Sequence, residues 1–471
     1  MATVHSFTQG KILSPLLRFS LPILMALLLQ AMYGAADLLI VGQFNSSADV
    51  SAVATGSQIM QTLTTVITGL SMGTTILLAQ KIGQGRQKEA GKVIGSGIFL
   101  FGMIALVLTL VVELTAGPLA SLMQAPAEAF DKTVEYVRIC SAGTVFIVAY
   151  NVLGSIFRGL GDSKTPLLAV LIACVLNIAG DLLFVGVFGM ATGGAALATV
   201  LAQSVSVILC IWIIRRRGLP FPFALSDIRF HRELVGRTAR LGAPIALQDF
   251  LVSISFLVIL AIVNSLGVIV SAGVGVAEKL CAFIMLVPSA FSQALSAFVG
   301  QNVGAGQHAR ARRSLVCGMA SSFVISLFLA YLSFFHGDML ARIFSNDDPV
   351  ILAAAEYLKA YAIDTLLVSF LFCFIGYFNG YGSTRFVMLQ GILGAFFVRI
   401  PVSFFMSQLK PVSLFLVGLA TPCSTSVQIL LCVGWFFATA APGKTAWGRS
   451  GTVKEDHFLK NFFAEKTPEN G

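Results

Sequence analysis

Residues 79–92 read AQKIGQGRQKEAGK, and residues 300–313 read GQNVGAGQHARARR. Gln80 aligns with Gln301, Gly83 with Gly304 and Gly85 with Gly306, all at one offset of 221 positions. At that same offset Tyr136 meets Tyr357, Phe157 meets Phe378, Gly159 meets Gly380 and Gly161 meets Gly382. Pro22 meets Pro244 with one extra residue. Loop glycines agree by chance, but separated matches on a single offset make chance a poor account. The chain reads as a duplication.

What was duplicated follows from composition. Charged residues are 11% of the 471 positions and hydrophobic ones 56%, with a mean hydropathy of +0.87. Soluble domains carry about 25% charged residues, so this chain could not cover itself in water. Its solvent is lipid. A spanning helix needs about 20 mostly apolar residues, and the apolar runs and their breakers predict twelve of them. They are 15–42, 52–79, 93–118, 134–157, 166–188, 193–214, 241–264, 268–299, 314–336, 351–378, 386–408 and 412–440. The offset carries each segment past six spans, an even number, so both halves have the same orientation. That is a parallel repeat about an axis along the membrane normal. The expected fold is an all-α polytopic membrane protein of twelve transmembrane helices in two parallel six-helix repeats.

Basic residues alternate between loops. One side holds Lys11 and Arg18, the cluster Lys81–Arg86–Lys88–Lys92, Arg158 and Lys164, the run from Arg215 to Arg240, Arg310–Arg312–Arg313, Arg385 and the C-terminal bases. The other holds only Lys132, Arg138, Arg342, Lys359 and Lys410, mixed with acids. The positive-inside rule then expects a multi-pass protein of the plasma (inner) membrane with both termini cytoplasmic. The net charge of +9 lies in these short loops and reports orientation, so no nucleic-acid partner is expected. The first apolar run lacks a small-residue cleavage site after it and reads as a retained span.

The expected parts are an N-terminal lobe (1–218), a linker (219–240), a C-terminal lobe (241–441) and a cytoplasmic tail (442–471). The basic stretch 215–240 opens with arginines and a Pro-Phe-Pro break. It then reads as a surface helix with Ile228, Leu234 and Val235 on one side. In the tail, Phe458, Leu459, Phe462 and Phe463 have the spacing of an amphipathic helix, and exposed disorder is the competing reading. The eight cysteines show no CxxC spacing and read as packing residues. All five histidines lie in loops or tails, which argues against haem or an imidazole-ligated metal, so no cofactor is expected.

Ionisable side chains inside spans are costly and mark function by default. Here they are Asp37, Glu113, Asp181, Asp249, Glu278, Lys279, Asp364 and Arg399. Counting back from the predicted outer ends at 1.5 Å per residue, Asp37 lies about 8 Å deep, Asp181 about 10 Å and Thr199 about 9 Å. Asn177 precedes Asp181 by four and shares its helix face. Two carboxylates, an amide and a hydroxyl thus reach one depth in the first half. Hard oxygen ligands suit Na⁺, and paired buried carboxyls also hold protons. Local capping of Asp37 and Asp181 is the plainer alternative. Glu113, near an outer end, reads as interfacial. Glu278 and Lys279 are adjacent and do not face each other across a turn. Asp249 and Asp364 fall nearer the midplane of the second half, where a cationic ligand or a proton would suit either. Arg399, beside Pro401, serves equally as an anchor. Prolines break a helix bond and often kink the rod, so Pro22 and Pro244 are candidate hinges.

The ordered stretches LPILMALLLQAMYGAADLLIVGQF, AQKIGQG, FRGLGDSKTP, NIAGDLLFVGVFGMATGGAALATVLAQ, FVGQNVGAG and FNGYGSTR resemble the multidrug and toxic compound extrusion (MATE) family, near its prokaryotic DinF-like branch. The resemblance covers residues 11–440. It implies a V-shaped, two-lobed exporter that works by alternating access. Substrates would be amphipathic, often cationic compounds, exchanged for H⁺ or Na⁺. Asp37, Asn177, Asp181 and Thr199 match the family's first-lobe cation site, and Pro22 matches the proline whose bending the family links to protonation. Asp249 and Asp364 stand about a turn earlier than the family's second-lobe acids, which leaves their roles open. The counterparts of Asn177 and Asp181 are Val398 and Val402, so coupling is expected in the first half alone. Asp249, Asp364, Glu278 and Lys279 are the substrate-site candidates. A monomer acting as an antiporter, and not as an enzyme, is the leading expectation. A lipid-linked precursor flippase of the same superfamily is the alternative and would want a cationic cavity. A membrane enzyme or channel lacks any motif.

Overall fold

A computed structural model describes residues 7–440, and among these there is no strand. Eleven helices are long and apolar enough to cross a membrane, and a bent pair makes a twelfth crossing. In chain order the spans are Leu13–Phe44, Ser47–Gly83, Gln87–Leu122, the pair Phe130–Ala142 and Thr144–Leu160, Lys164–Val187 and Ala191–Arg217. The second six are Arg232–Asn264, Val268–Gly304, His308–Phe335, Asp348–Tyr381, Thr384–Ser407 and Leu414–Thr439. We number them spans 1 to 12.

Three features depart from the sequence expectation. Span 4 is not straight: it bends by 54° at Gly143, where a β-carbon would strike the Val200 side chain. The close approach of span 6 is what the bend accommodates. Secondly, span 5 changes to a π-helix over Leu182–Val187, and span 11 does so over Leu393–Arg399. Thirdly, the linker carries no separate α-helix among the described residues, only a 3-10 turn over Leu225–Asp227. Leu234 and Val235 lie in the opening turns of span 7, which begins at Arg232 and is supported there by the Glu233–Arg237 pair at 3.0 Å. No breaker separates them from the apolar run, so the helix propagates through. The rest of the linker is strapped onto span 3, with Phe221 buried and Ser96 Oγ 3.1 Å from His231 Nδ1. The tail with its candidate amphipathic helix falls outside the described residues.

Lipid tails are as apolar as leucine, so span association relies on small residues and interhelical hydrogen bonds. Both appear, and in duplicate. Thr75 Oγ1 donates to the Ser155 carbonyl at 2.9 Å, and its counterpart Ser296 Oγ donates to the Gly376 carbonyl at 3.2 Å. Gly161 ends span 4 at φ +82°, and its counterpart Gly382 ends span 10 at φ +88°, a left-handed turn that a side chain would strain.

The two lobes meet at the end that carries the basic loops. Gly83 packs on the backbone of Gln301, and Gly304 packs reciprocally on that of Gln80. Gln80 Nε2 donates to the Gly380 carbonyl at 2.9 Å, while Gln301 Nε2 donates to the Gly159 carbonyl at 3.1 Å. Each bond is the repeat image of the other, so the contact is an internal two-fold interface. Phe7 adds a strap across it: its ring lies 4.8 Å from that of Phe298, and Arg310 Nε donates to its carbonyl at 2.9 Å. Further along, Gly69 meets Ala246 and Gly73 meets Gly242, where spans 2 and 7 touch backbone to backbone. At Gly69 those spans line a cavity between the lobes. The glycine contacts at Gly73, Gly83 and Gly304 close the lobes on its basic side.

Candidate functional site

Spans 1, 5 and 6 bring the four first-half candidates into one cluster. Asp37 is 5% exposed, Asn177 1% and Asp181 0%. Thr199 Oγ1 donates to Asp37 Oδ2 at 3.3 Å and accepts from Asn177 Nδ2 at 3.3 Å. The carboxyls of Asp37 and Asp181 lie close enough to act on each other electrostatically, and no Lys or Arg of the described residues is among the groups that act on the pair. Asp37 Oδ1, Asn177 Oδ1 and both Asp181 oxygens find no donor. Local capping does not account for these oxygens. Burying unpaired acceptors is expensive, and a proton or a small cation is what four convergent oxygens fit.

Local structure explains the convergence. Span 6 is held at the end away from the basic loops by Thr192, whose Oγ1 donates to Asp49 Oδ1 at 3.0 Å. Lys132 Nζ lies 2.7 Å from the same oxygen. Thr199 follows Thr192 by two turns, so this anchor sets which face it presents. Asp181 is the residue just before the π-segment of span 5. Such wide turns change a helix's facing locally and recur at functional sites. Beside the cluster is a cavity of about 20 Å³ lined by Gln30, Tyr33, Asn177, Thr199 and Gln203. It has room for about one water, in polar surroundings.

The second-half acids line a larger chamber of about 520 Å³ between the lobes. Its first-half wall is Thr68, Gly69 and Met72, and its second-half wall carries Asp249, Glu278, Asp364 and Arg399 with Phe256 and Tyr361. Asp364 Oδ1 accepts from Thr425 Oγ1 at 2.6 Å, and its Oδ2 has no donor. Arg399 Nη1 donates to Ser255 Oγ at 3.3 Å, and the guanidinium sits 4.4 Å from the centre of the Phe256 ring. Arg399 ends the π-segment of span 11, as Asp181 opens onto that of span 5. Glu278 Oε1 is buried without a donor. Asp249 is half-buried and faces the chamber. Three carboxylates against one guanidinium leave the wall acidic. Lys279 is exposed and takes no part in the lining. Glu113 is half-exposed and lies 4.0 Å from Arg138, away from both sites.

Pro22 and Pro244 both lie inside continuous helices. Pro244 immediately precedes Ile245 and Ala246, which pack on span 2, and Pro22 adjoins Ile23, which packs among second-half residues. Both candidate hinges therefore stand where a span crosses to the other lobe. Thr425, Ser255 and the Gln80–Gln301 latch were not singled out from sequence. For the latch, the repeat alignment of the two glutamines and two glycines was the available signal.

A family model described as MatE matches residues 22–183 and again residues 244–405, one match in each half. The chain is 27% identical over 398 residues to the probable multidrug resistance protein YpnP of Bacillus subtilis, covering 84% of this chain and 89% of that one. It is 24% identical to the multidrug export protein MepA of Staphylococcus saprophyticus, over 86% of this chain and 90% of that one. A solved structure described as an outward-facing conformation of a multidrug resistance MATE family transporter superposes with a TM-score of 0.85 at 21% identity. The match covers 93% of this chain and 98% of that one.

Proposed function

From the premise that this chain belongs to the MatE family, whose members are membrane transporters and not enzymes, we propose that it is a secondary antiporter. It exports amphipathic, often cationic compounds in exchange for H⁺ or Na⁺, acting as a monomer. The basic loops lie in the cytoplasm by the positive-inside rule, so the chamber that is closed at the basic end opens outward. In this state the Asp37–Asp181 pair takes up the driving ion from outside. Charge neutralisation relieves the buried oxygens and favours return to the inward-facing state after substrate release.

The observation that carries this reading is the set of four buried oxygens without donors around Asp37 and Asp181. The relatives' names as multidrug resistance and export proteins support the substrate class. The acidic chamber wall supports cationic substrates and turns away the anionic precursors that a flippase would carry. The test is efflux from proteoliposomes under separately imposed pH and Na⁺ gradients. One gradient is expected to drive accumulation, and failure of both would remove the coupling.

Asp249 is a half-buried carboxylate of the chamber lining, so Asp249→Asn should weaken binding of a monocationic dye about tenfold, the scale of one partly solvated charge contact. A neutral dye of similar size should bind as before. Equal loss for both dyes, measured by fluorescence titration, would assign Asp249 a structural role instead.

A further inference from the structure

A second large cavity, of about 620 Å³, lies at the basic end of the first half, away from both sites described above. It sits between the start of span 1, the start of span 5, the end of span 6 and the turn that follows it. Phe19, Phe157, Leu160 and Ile213 form a buried apolar floor, and Arg18, Lys164 and Arg217 stand exposed at its lip. Among the described residues none of these three bases forms an ion pair. The acid that lines the cavity, Asp162, is already engaged. Its Oδ1 accepts from the backbone N–H groups of Lys164 and Thr165 at 3.0 and 3.1 Å, and its Oδ2 accepts from Thr165 Oγ1 at 2.6 Å. Among the described residues three cations therefore converge on one opening against the single carboxylate of Asp162, which leaves the opening net positive.

The apolar surface does not stop at the lip. Leu13, Leu17 and Leu21 follow one face of span 1 at intervals of four and are 48%, 38% and 60% exposed. Leu168 and Leu171 on span 5 are 43% and 45% exposed. These side chains run from the cavity into the zone where only hydrocarbon covers them. An occupant must present an anion to the bases and a long apolar chain to the leucines.

We propose that this cavity is a binding site for an anionic phospholipid, with its phosphate between Arg18, Lys164 and Arg217 and an acyl chain along the span 1–span 5 face. Basic pockets between spans at the cytoplasmic surface recognise such headgroups, and guanidinium–phosphate contacts are among the stronger charge-assisted bonds. A free phosphate satisfies the bases but leaves the leucine stripe unexplained, and a zwitterionic lipid leaves the net positive charge uncompensated.

The test is lipid retention by the purified protein in mild detergent, read by native mass spectrometry, with thermal unfolding as a second readout. Added phosphatidylglycerol is expected to be retained over phosphatidylcholine and to raise Tm, because it binds the folded form. Each substitution Arg18→Gln, Lys164→Gln or Arg217→Gln should weaken retention about fivefold, and the triple roughly a hundredfold. A charge-matched control, Lys88→Gln with Lys92→Gln and Arg313→Gln, removes three bases of the same end from outside the cavity and should retain the lipid. Equal loss in both triples would show a diffuse field with no site. Unchanged retention in the cavity triple would also overturn the proposal, as would equal protection by inorganic phosphate at the same concentration. Should the triple fold poorly, the three single variants carry the same comparison.

Discussion

Asp37→Asn and Asp181→Asn are each expected to bring gradient-driven efflux down to the level of empty liposomes while leaving the protein folded in the membrane. Asparagine keeps the shape of the side chain and removes the charge that a driving ion must neutralise. The two carboxyls are 5% and 0% exposed with no basic neighbour among the described residues, so the driving ion is what neutralises the pair, and either variant leaves a single acid in its place. Removing one of two facing buried acids relieves repulsion, and Tm should hold or rise by a few degrees, on the scale of about 1 kcal/mol. Transport assays and thermal unfolding on the same preparations separate the outcomes. Normal efflux in both variants defeats the coupling mechanism, and a large fall in Tm would instead make the pair a structural element.

The second large effect is expected at the closed end. Gly83→Leu combined with Gly304→Leu should drive the lobes apart there and abolish transport without unfolding either lobe. A β-carbon at position 83 would run into the Gln301 carbonyl, and one at 304 into that of Gln80. Within a helix leucine is favoured over glycine by somewhat under about 1 kcal/mol, so each span itself gains. The strain falls on the contact between lobes. Overpacking costs about 1–3 kcal/mol at each site, which shifts the balance of states at least about tenfold against the closed end. Spin labels at K88C and R313C, in a background without the exposed Cys423, report it as a longer distance. An unchanged distance distribution would show that the glycine contact does not govern this closure.

Much of this molecule is visible in one dimension. Hydropathy counts spans, and the shared offset of Gln80–Gln301 and Gly159–Gly380 identifies the repeat before any contact is known. Depth follows from helical rise, which is why Asp37, Asn177, Asp181 and Thr199 could be grouped from three different spans. Rotation about the helix axis is less visible. Glu278 and Lys279 are neighbours in sequence, yet one lines the chamber and the other is exposed. In lipid every face of a span is apolar, so the polar–apolar stripe that orients a helix in a soluble protein is missing. The linker misled for a related reason: Leu234 and Val235 suit an interfacial helix and the opening turns of a span equally well.

The sequence by itself determined that the chain lives in lipid and crosses it twelve times in two like-oriented halves, and it grouped Asp37, Asn177, Asp181 and Thr199 at one expected depth. These are properties of composition, period and rise, and they need no knowledge of neighbours. Only the tertiary structure decided that the halves meet at the basic end and enclose a cavity between them. It also decided that Thr425 partners Asp364 and that three bases of the first half surround a cavity. Which spans lie side by side, and which faces they turn, is set by backbone fit at glycines and by a few interhelical hydrogen bonds. Such contacts join residues hundreds of positions apart and leave no local mark on the chain.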